Sequence, residues 1–253
     1  MNRKEFDEMR FEFGEYVYNY EFFQKVGFVT DMYYTKYFKD DLKKIQRYEI
    51  ENIVLEQAIA LKNKNAKEEE ILKYLADSKE KFIRDTNKYN EKIQKALQFI
   101  DHNEKMSSED KNKFEQEYLE FCKNLHPVVK CKTTNEENNA YLLLRNFYFE
   151  NNYSAFQEFT TLHKDGFPSV EYDESEFVNI SKFYFENKTR INQDYSKKSK
   201  LYPYTKQDTL KDEISLARES GELHVSITNL MRQNKDLHQQ FKKLFKDDYN
   251  ITE

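Results

Sequence analysis

Apolar residues recur three and four positions apart along most of the chain, with charged and amide residues between them. That spacing puts them on one face of an α-helix. Phe6, Met9 and Phe13 line a short N-terminal helix or arm. From about Glu15 to Lys62 the pattern stays helical, and Phe38, Leu42, Ile45, Tyr48, Asn52, Leu55 and Ile59 form a seam of the coiled-coil type. Asn52 in that seam lowers stability but can fix register. Asn63-Lys64-Asn65-Ala66 predicts a turn. A second helix then runs from about Lys67 to Ile100, with Ile71, Leu75, Ser78, Phe82, Thr86, Tyr89, Ile93, Ala96 and Ile100 as its seam. The short turn makes the two helices antiparallel neighbours. Gly14 and Gly27 are either breaks or close contacts within a longer helix.

Ser107-Ser108-Glu109-Asp110 marks the next helix start, with carboxylates where the helix dipole favours them. Phe114, Tyr118, Phe121 and Leu125 share one face, and Pro127 stops the helix at His126. Asn135-Glu136-Glu137 opens another helix with Ala140, Leu143, Leu144 and Phe147 as its stripe, and Tyr153, Phe156 and Phe159 begin a third short piece. Gly166-Phe167-Pro168-Ser169 reads as a domain boundary. Beyond it lie a helix from Asp173 to about Lys200, a turn at Leu201-Tyr202-Pro203-Tyr204-Thr205, and a last helix from about Lys206 to Asp247. Its seam is Leu223, Ile227, Leu230, Asn234, Leu237, Phe241 and Leu244. The expected fold is all-α: long antiparallel helical hairpins flanking a small helical module, divided as 1–103, 104–165 and 166–253.

Composition narrows the picture. At 253 residues, with 38% hydrophobic and 34% charged positions and a mean hydropathy of −1.00, the chain suits helices with one buried stripe and much wet surface. Four glycines and three prolines allow few tight turns. The 19 Tyr and 21 Phe must supply much of the packing area. Doublets such as Phe22-Phe23, Tyr33-Tyr34 and Tyr37-Phe38 wrap too wide for one seam, so further elements or a partner must cover them. The net charge of −5 argues against a chain-wide nucleic-acid or anionic-membrane footprint. No apolar run approaches a membrane span and no signal-peptide core follows the N-terminus, so a soluble, cytoplasmic protein is expected.

Candidate chemistry is sparse. Four scattered glycines make no phosphate loop, and no catalytic triad or metalloprotease motif stands out. An enzyme is not expected, nor a cofactor. Cys122, His126 and Cys131 lack a standard zinc spacing and would need a fourth ligand such as His102 or His163, so no metal site is assigned. Lys197, Lys198 and Lys200 with Tyr202 and Tyr204 would suit phosphate or nucleic-acid contact, the tyrosines stacking on bases; a basic helix end matched to its dipole is the favoured explanation. His126 reads either as a partner-contact residue in the loop or as a loop histidine bonded to nearby backbone.

The stretch Tyr118-Leu119 with Lys123-Asn124-Leu125-His126-Pro127-Val128 resembles a J-domain, the helical hairpin by which co-chaperones stimulate heat-shock ATPase chaperones. The family carries His-Pro-Asp in the loop; here Val128 stands where the aspartate would be, and valine can neither accept a hydrogen bond nor pair with an arginine. The helix before the loop also carries Glu115, Glu117 and Glu120 where the family is strongly basic. The resemblance therefore implies a degenerate J-like module with Tyr118, Lys123, His126, Pro127 and Val128 as its partner-contact residues. The order of parts also resembles a group of bacterial coiled-coil and J-like proteins, through Leu55-Glu56-Gln57-Ala58-Ile59-Ala60-Leu61-Lys62-Asn63 and Tyr202-Pro203-Tyr204-Thr205. The leading expectation is a non-enzymatic interaction or adaptor protein with a protein partner, and oligomers through the seams are compatible with it. The alternatives are a true co-chaperone and an accessory or inhibitor protein docking on a nucleic-acid-handling complex.

Overall fold

A computed structural model describes residues 1–163, 170–246, 249 and 251. Among the described residues there are eight α-helices and no strand: α1 (Arg3–Asn63), α2 (Glu68–Lys105), α3 (Ser108–Leu125), α4 (Pro127–Lys130), α5 (Asn135–Phe149), α6 (Tyr153–Leu162), α7 (Phe177–Lys198) and α8 (Glu213–Phe245). The fold is all-α. The N-terminal arm and the long first helix are one element, because Gly14 and Gly27 are close contacts and not breaks. A Cβ on Gly14 would lie 2.5 Å from the Lys123 Cα, so glycine lets the backbone of α3 approach α1. No helix among the described residues is long and apolar enough to cross a membrane. The boundary expected at Gly166-Phe167-Pro168-Ser169 lies outside the described residues.

The chain forms two compact units whose segments interleave: residues 1–31 with 98–207, and residues 32–97 with 208–253. The expected boundaries, at 103/104 and 165/166, differ from these. Seam spacing identifies which face of a helix is buried but not which helix buries it, and here the partner is often distant in sequence.

In the first unit, α7 runs parallel to the start of α1. Phe6 stacks on Phe177 at 4.1 Å and Phe13 on Tyr184 at 4.3 Å. Further along the same pair, the Tyr16 hydroxyl donates to Asn192 Oδ1 at 2.6 Å. A second core joins α3, α5 and α6 through Phe114, Tyr118, Phe121, Leu144, Tyr148 and Phe156. The expected α5 stripe is rotated: Leu143 is 40% exposed, whereas Tyr148 is fully buried and Tyr141 half-buried. Tyr141 and Tyr148 can turn inward because each hydroxyl finds a carboxylate, Glu21 and Glu115 respectively.

In the second unit, Val54, Leu55, Ala58 and Ile59 of α1 share one core with Ile71, Leu75 and Phe82 of α2 and Leu237 and Phe241 of α8. Leu55 and Ile59 of the α1 seam and Ile71, Leu75 and Phe82 of the α2 seam are thus covered within the chain. Helix α8 runs parallel to this part of α1: Tyr34 donates to Glu219 at 2.5 Å and Asn234 to Asn52 at 2.9 Å. The helices expected to pair with each other as a C-terminal hairpin, α7 and α8, therefore each align with α1, one in each unit. Helix α8 starts later than expected, capped by Asp212, because short 3-10 turns occupy Tyr204–Lys206 and Asp208–Leu210.

Candidate functional site

The bend after α3 is where chain direction and polar chemistry meet. Leu125 ends α3, and His126 adopts an extended conformation (φ −60°, ψ 129°), as the following proline requires. Pro127 then occupies the first position of α4, where its missing N–H costs nothing. Cys131 closes α4 in the left-handed region at φ 57°. Thr134 and Glu137 form a reciprocal capping box that starts α5.

His126 is 5% exposed. Its Nδ1 accepts from the Val128 N–H at 3.1 Å, and its Nε2 lies 3.0 Å from the Tyr141 hydroxyl. Tyr141 donates its proton to Glu21 Oε1 at 2.9 Å, so the tautomer consistent with the whole chain of bonds carries the histidine proton on Nε2. Arg145 Nε donates to the other Glu21 oxygen at 2.7 Å, and its Nη2 reaches Gln24. One buried carboxylate on α1 thus ties the bend and α5 together. Burial by itself would raise the Glu21 pKa. The His126 ring, the Arg145 charge and the Tyr141 hydroxyl outweigh it and hold the carboxyl below its usual range.

One turn further along α1, Lys25 is also buried and donates to Glu115 at 2.8 Å. Burial pushes the Lys25 ammonium down, with Glu115 opposing. Glu115 also accepts from Tyr18 at 2.8 Å and from Tyr148. The carbonyls of the bend are covered as well: Tyr172 donates to Lys130 O at 2.8 Å and Tyr184 to Val129 O. Lys130 is buried against Glu137.

These placements bear on the expected partner-contact residues. Tyr118 is fully buried, with its ring stacked on Tyr148 at 3.7 Å. Lys123 lies under Gly14 and reaches Glu120. His126 is the backbone-bonded histidine of the second reading. Pro127 and Val128 are partly covered. The polar groups of His126-Pro127-Val128 form hydrogen bonds within the chain. Cys122 is buried and Cys131 Sγ faces the Val128 and Val129 carbonyls. No cluster of three or more metal-ligating side chains occurs among the described residues.

The basic cluster at the end of α7 is also divided. Lys198 pairs with Asp194 at 2.7 Å and lies 3.4 Å from the Tyr20 hydroxyl. Tyr204 stacks face to face on Phe23 at 4.1 Å and is pressed against Gly27. Tyr202 donates to Asp31. Tyr204 is therefore stacked within the first unit, whereas Tyr202 is bonded through its hydroxyl and stays 48% exposed, as Lys197 and Lys200 stay exposed.

What periodicity alone does not reveal is a cleft of about 810 Å³ in the first unit. Four helices bound it. Val17, Tyr20 and Glu21 come from α1, and the bend and α4 bring His126, Pro127 and Val128. Asn138, Tyr141 and Leu142 belong to α5. Helix α7 presents a stripe from Asn187 to Lys197 that includes Arg190, Ile191 and Asp194. In each long helix the spacing is again three and four, but with polar and apolar residues mixed, which a search for apolar stripes passes over. The volume lies within the range of ligand clefts. Both sides are braced: Glu21 ties α1, the bend and α5, and Tyr20–Asp194–Lys198 ties α1 to α7.

No family model matches the chain, and no curated protein or solved structure was found that resembles it.

Proposed function

We propose that the chain is a non-enzymatic, all-helical interaction protein, and that a protein partner docks in the cleft of the first unit. The J-like helices α3 and α5 serve as its scaffold. The observation that carries this reading is the bracing of the cleft. A site whose walls are held by buried polar ties loses little freedom when it binds, so more of the contact energy appears as affinity. The polar side chains deepest in it, Glu21, His126 and Tyr141, bond to one another, an arrangement that holds shape and offers no activated nucleophile or base.

The co-chaperone alternative needs the bend histidine to reach a chaperone, and His126 is enclosed. The nucleic-acid alternative needs free aromatic faces beside the α7 lysines, and Tyr204 is covered by Phe23.

A photo-crosslinking amino acid at Leu142, which is 53% exposed on the cleft, tests the reading. In a lysate of the source organism it is expected to give one discrete protein adduct. The same probe at Val178, 69% exposed and outside the cleft, is expected to give none. Equal adduct patterns from both positions would remove the cleft from consideration.

A further inference from the structure

The charges around the cleft do not balance. Its acids are Glu21 and Asp194, and each is already matched, Glu21 by Arg145 and Asp194 by Lys198. Arg190 and Lys197 also line it, both exposed, and neither forms an ion pair among the described residues. Lys197 is near enough to help lower the Asp194 carboxyl, but Lys198 holds that carboxylate. Val128, Leu142 and Ile191 line the same cleft, and Leu142 is more than half exposed. The site therefore offers two uncompensated positive charges beside an apolar floor.

We propose, on the reading that the cleft docks a protein, that its occupant is an acidic segment with an apolar anchor: two carboxylates flanking an aliphatic or aromatic side chain. Seven positions separate Arg190 from Lys197, about 10 Å along α7 at about 1.5 Å per residue. An extended chain turns alternate side chains to the same face, so carboxylates two positions apart lie about 6.6 Å from each other on the α7 side, the long Arg190 and Lys197 side chains close the rest, and the residue between them points to the opposite wall. Guanidinium and carboxylate form paired charge-assisted hydrogen bonds, so Arg190 fixes the direction of the segment, and Lys197 supplies a second point charge. The apolar side chain then enters between Val128, Leu142 and Ile191.

The test uses the full chain and a displayed library of random heptapeptides. Enriched peptides are expected to carry acids two positions apart around an apolar residue. A labelled enriched peptide is expected to bind the Arg190→Glu/Lys197→Glu variant at least tenfold more weakly than wild type, by fluorescence anisotropy. Lys182→Glu, on an exposed position of α7 outside the cleft, should leave binding unchanged. The peptide with its acids replaced by lysine should bind the double variant better than wild type, a rescue that a misfolded variant would not show. Undiminished binding by the double variant overturns the proposal. Enrichment of neutral peptides whose binding is lost in Leu142→Asp also overturns it while leaving the protein-docking reading in place. If no peptide is enriched and the Leu142 probe gives no adduct, both fail. If light scattering shows a dimer that the double variant abolishes, the occupant is a second copy and the acidic-segment proposal falls.

Discussion

Glu21 is the residue on which most of the bend depends. It accepts from Tyr141 and Arg145 with its side chain almost fully buried. Glu21→Ala strands Arg145 and Tyr141. The expected loss is about 3 kcal/mol, the lower end for breaking a buried pair, since Arg145 keeps some contact with water. Urea denaturation measures it. Glu21→Gln separates charge from shape. The folded carboxyl titrates below the usual 4.5, so its stabilising effect is complete above that value and disappears as pH falls through the folded pKa. Wild type is expected to melt well above Glu21→Gln at neutral pH, with the gap closing in acid. A gap independent of pH would mean that the charge is not what matters. None of this is visible in a single sequence, because Glu21 looks like any other polar position of a helix until Tyr141 and Arg145 arrive from α5.

At the scale of elements, two glycines within helices should respond in opposite directions to the same substitution. Alanine raises helix propensity by about 1 kcal/mol over glycine. At Gly221 nothing lies within 4 Å of the added Cβ, so Gly221→Ala should stabilise by about that amount. At Gly14 the new Cβ meets the α3 backbone at 2.5 Å. Gly14→Ala should therefore destabilise by about 1–3 kcal/mol despite its better propensity. Thermal melts of the two variants decide this, and a stabilised Gly14→Ala would contradict the close approach of α3.

The seam asparagines give a second test. Asn234 donates to Asn52, and Asn52 donates to Leu230 O. Asn52→Leu leaves the buried Asn234 amide without its partner and should lose about 1–3 kcal/mol. Asn52→Leu/Asn234→Leu should regain most of that loss, so the cycle shows coupling and not additivity. Additive effects in denaturant titrations would show that the pair does not form. Each asparagine stood out in its own seam; that they face one another only the packing of α8 along α1 revealed.

For the molecule as a whole, the interleaving of the units predicts how it can be cut. Residues 1–103 contain α1 and nearly all of α2 but lack α7 and α8. Phe6 and Phe13 would lose Phe177 and Tyr184, and Leu55 and Ala58 would lose Leu237 and Phe241. That fragment should remain helical by circular dichroism yet melt without a cooperative transition, whereas the full chain melts cooperatively. A sharp melt of the fragment would mean that the first hairpin is self-sufficient.

Local chemistry was legible from the chain alone wherever a property depends on neighbours within a few residues. The three-and-four spacing marks the inward face of nearly every helix, Pro127 forces the stop at His126, and Ser107 signals the cap of α3. Partner choice was not, because an apolar stripe is complementary to any other apolar stripe. The pairing of α7 and α8 with α1, the enclosure of His126 and the cleft between α1, α4, α5 and α7 all come from contacts between residues far apart in sequence. The tertiary structure decided them, since only packing fixes which stripes meet and which hydroxyls reach carboxylates.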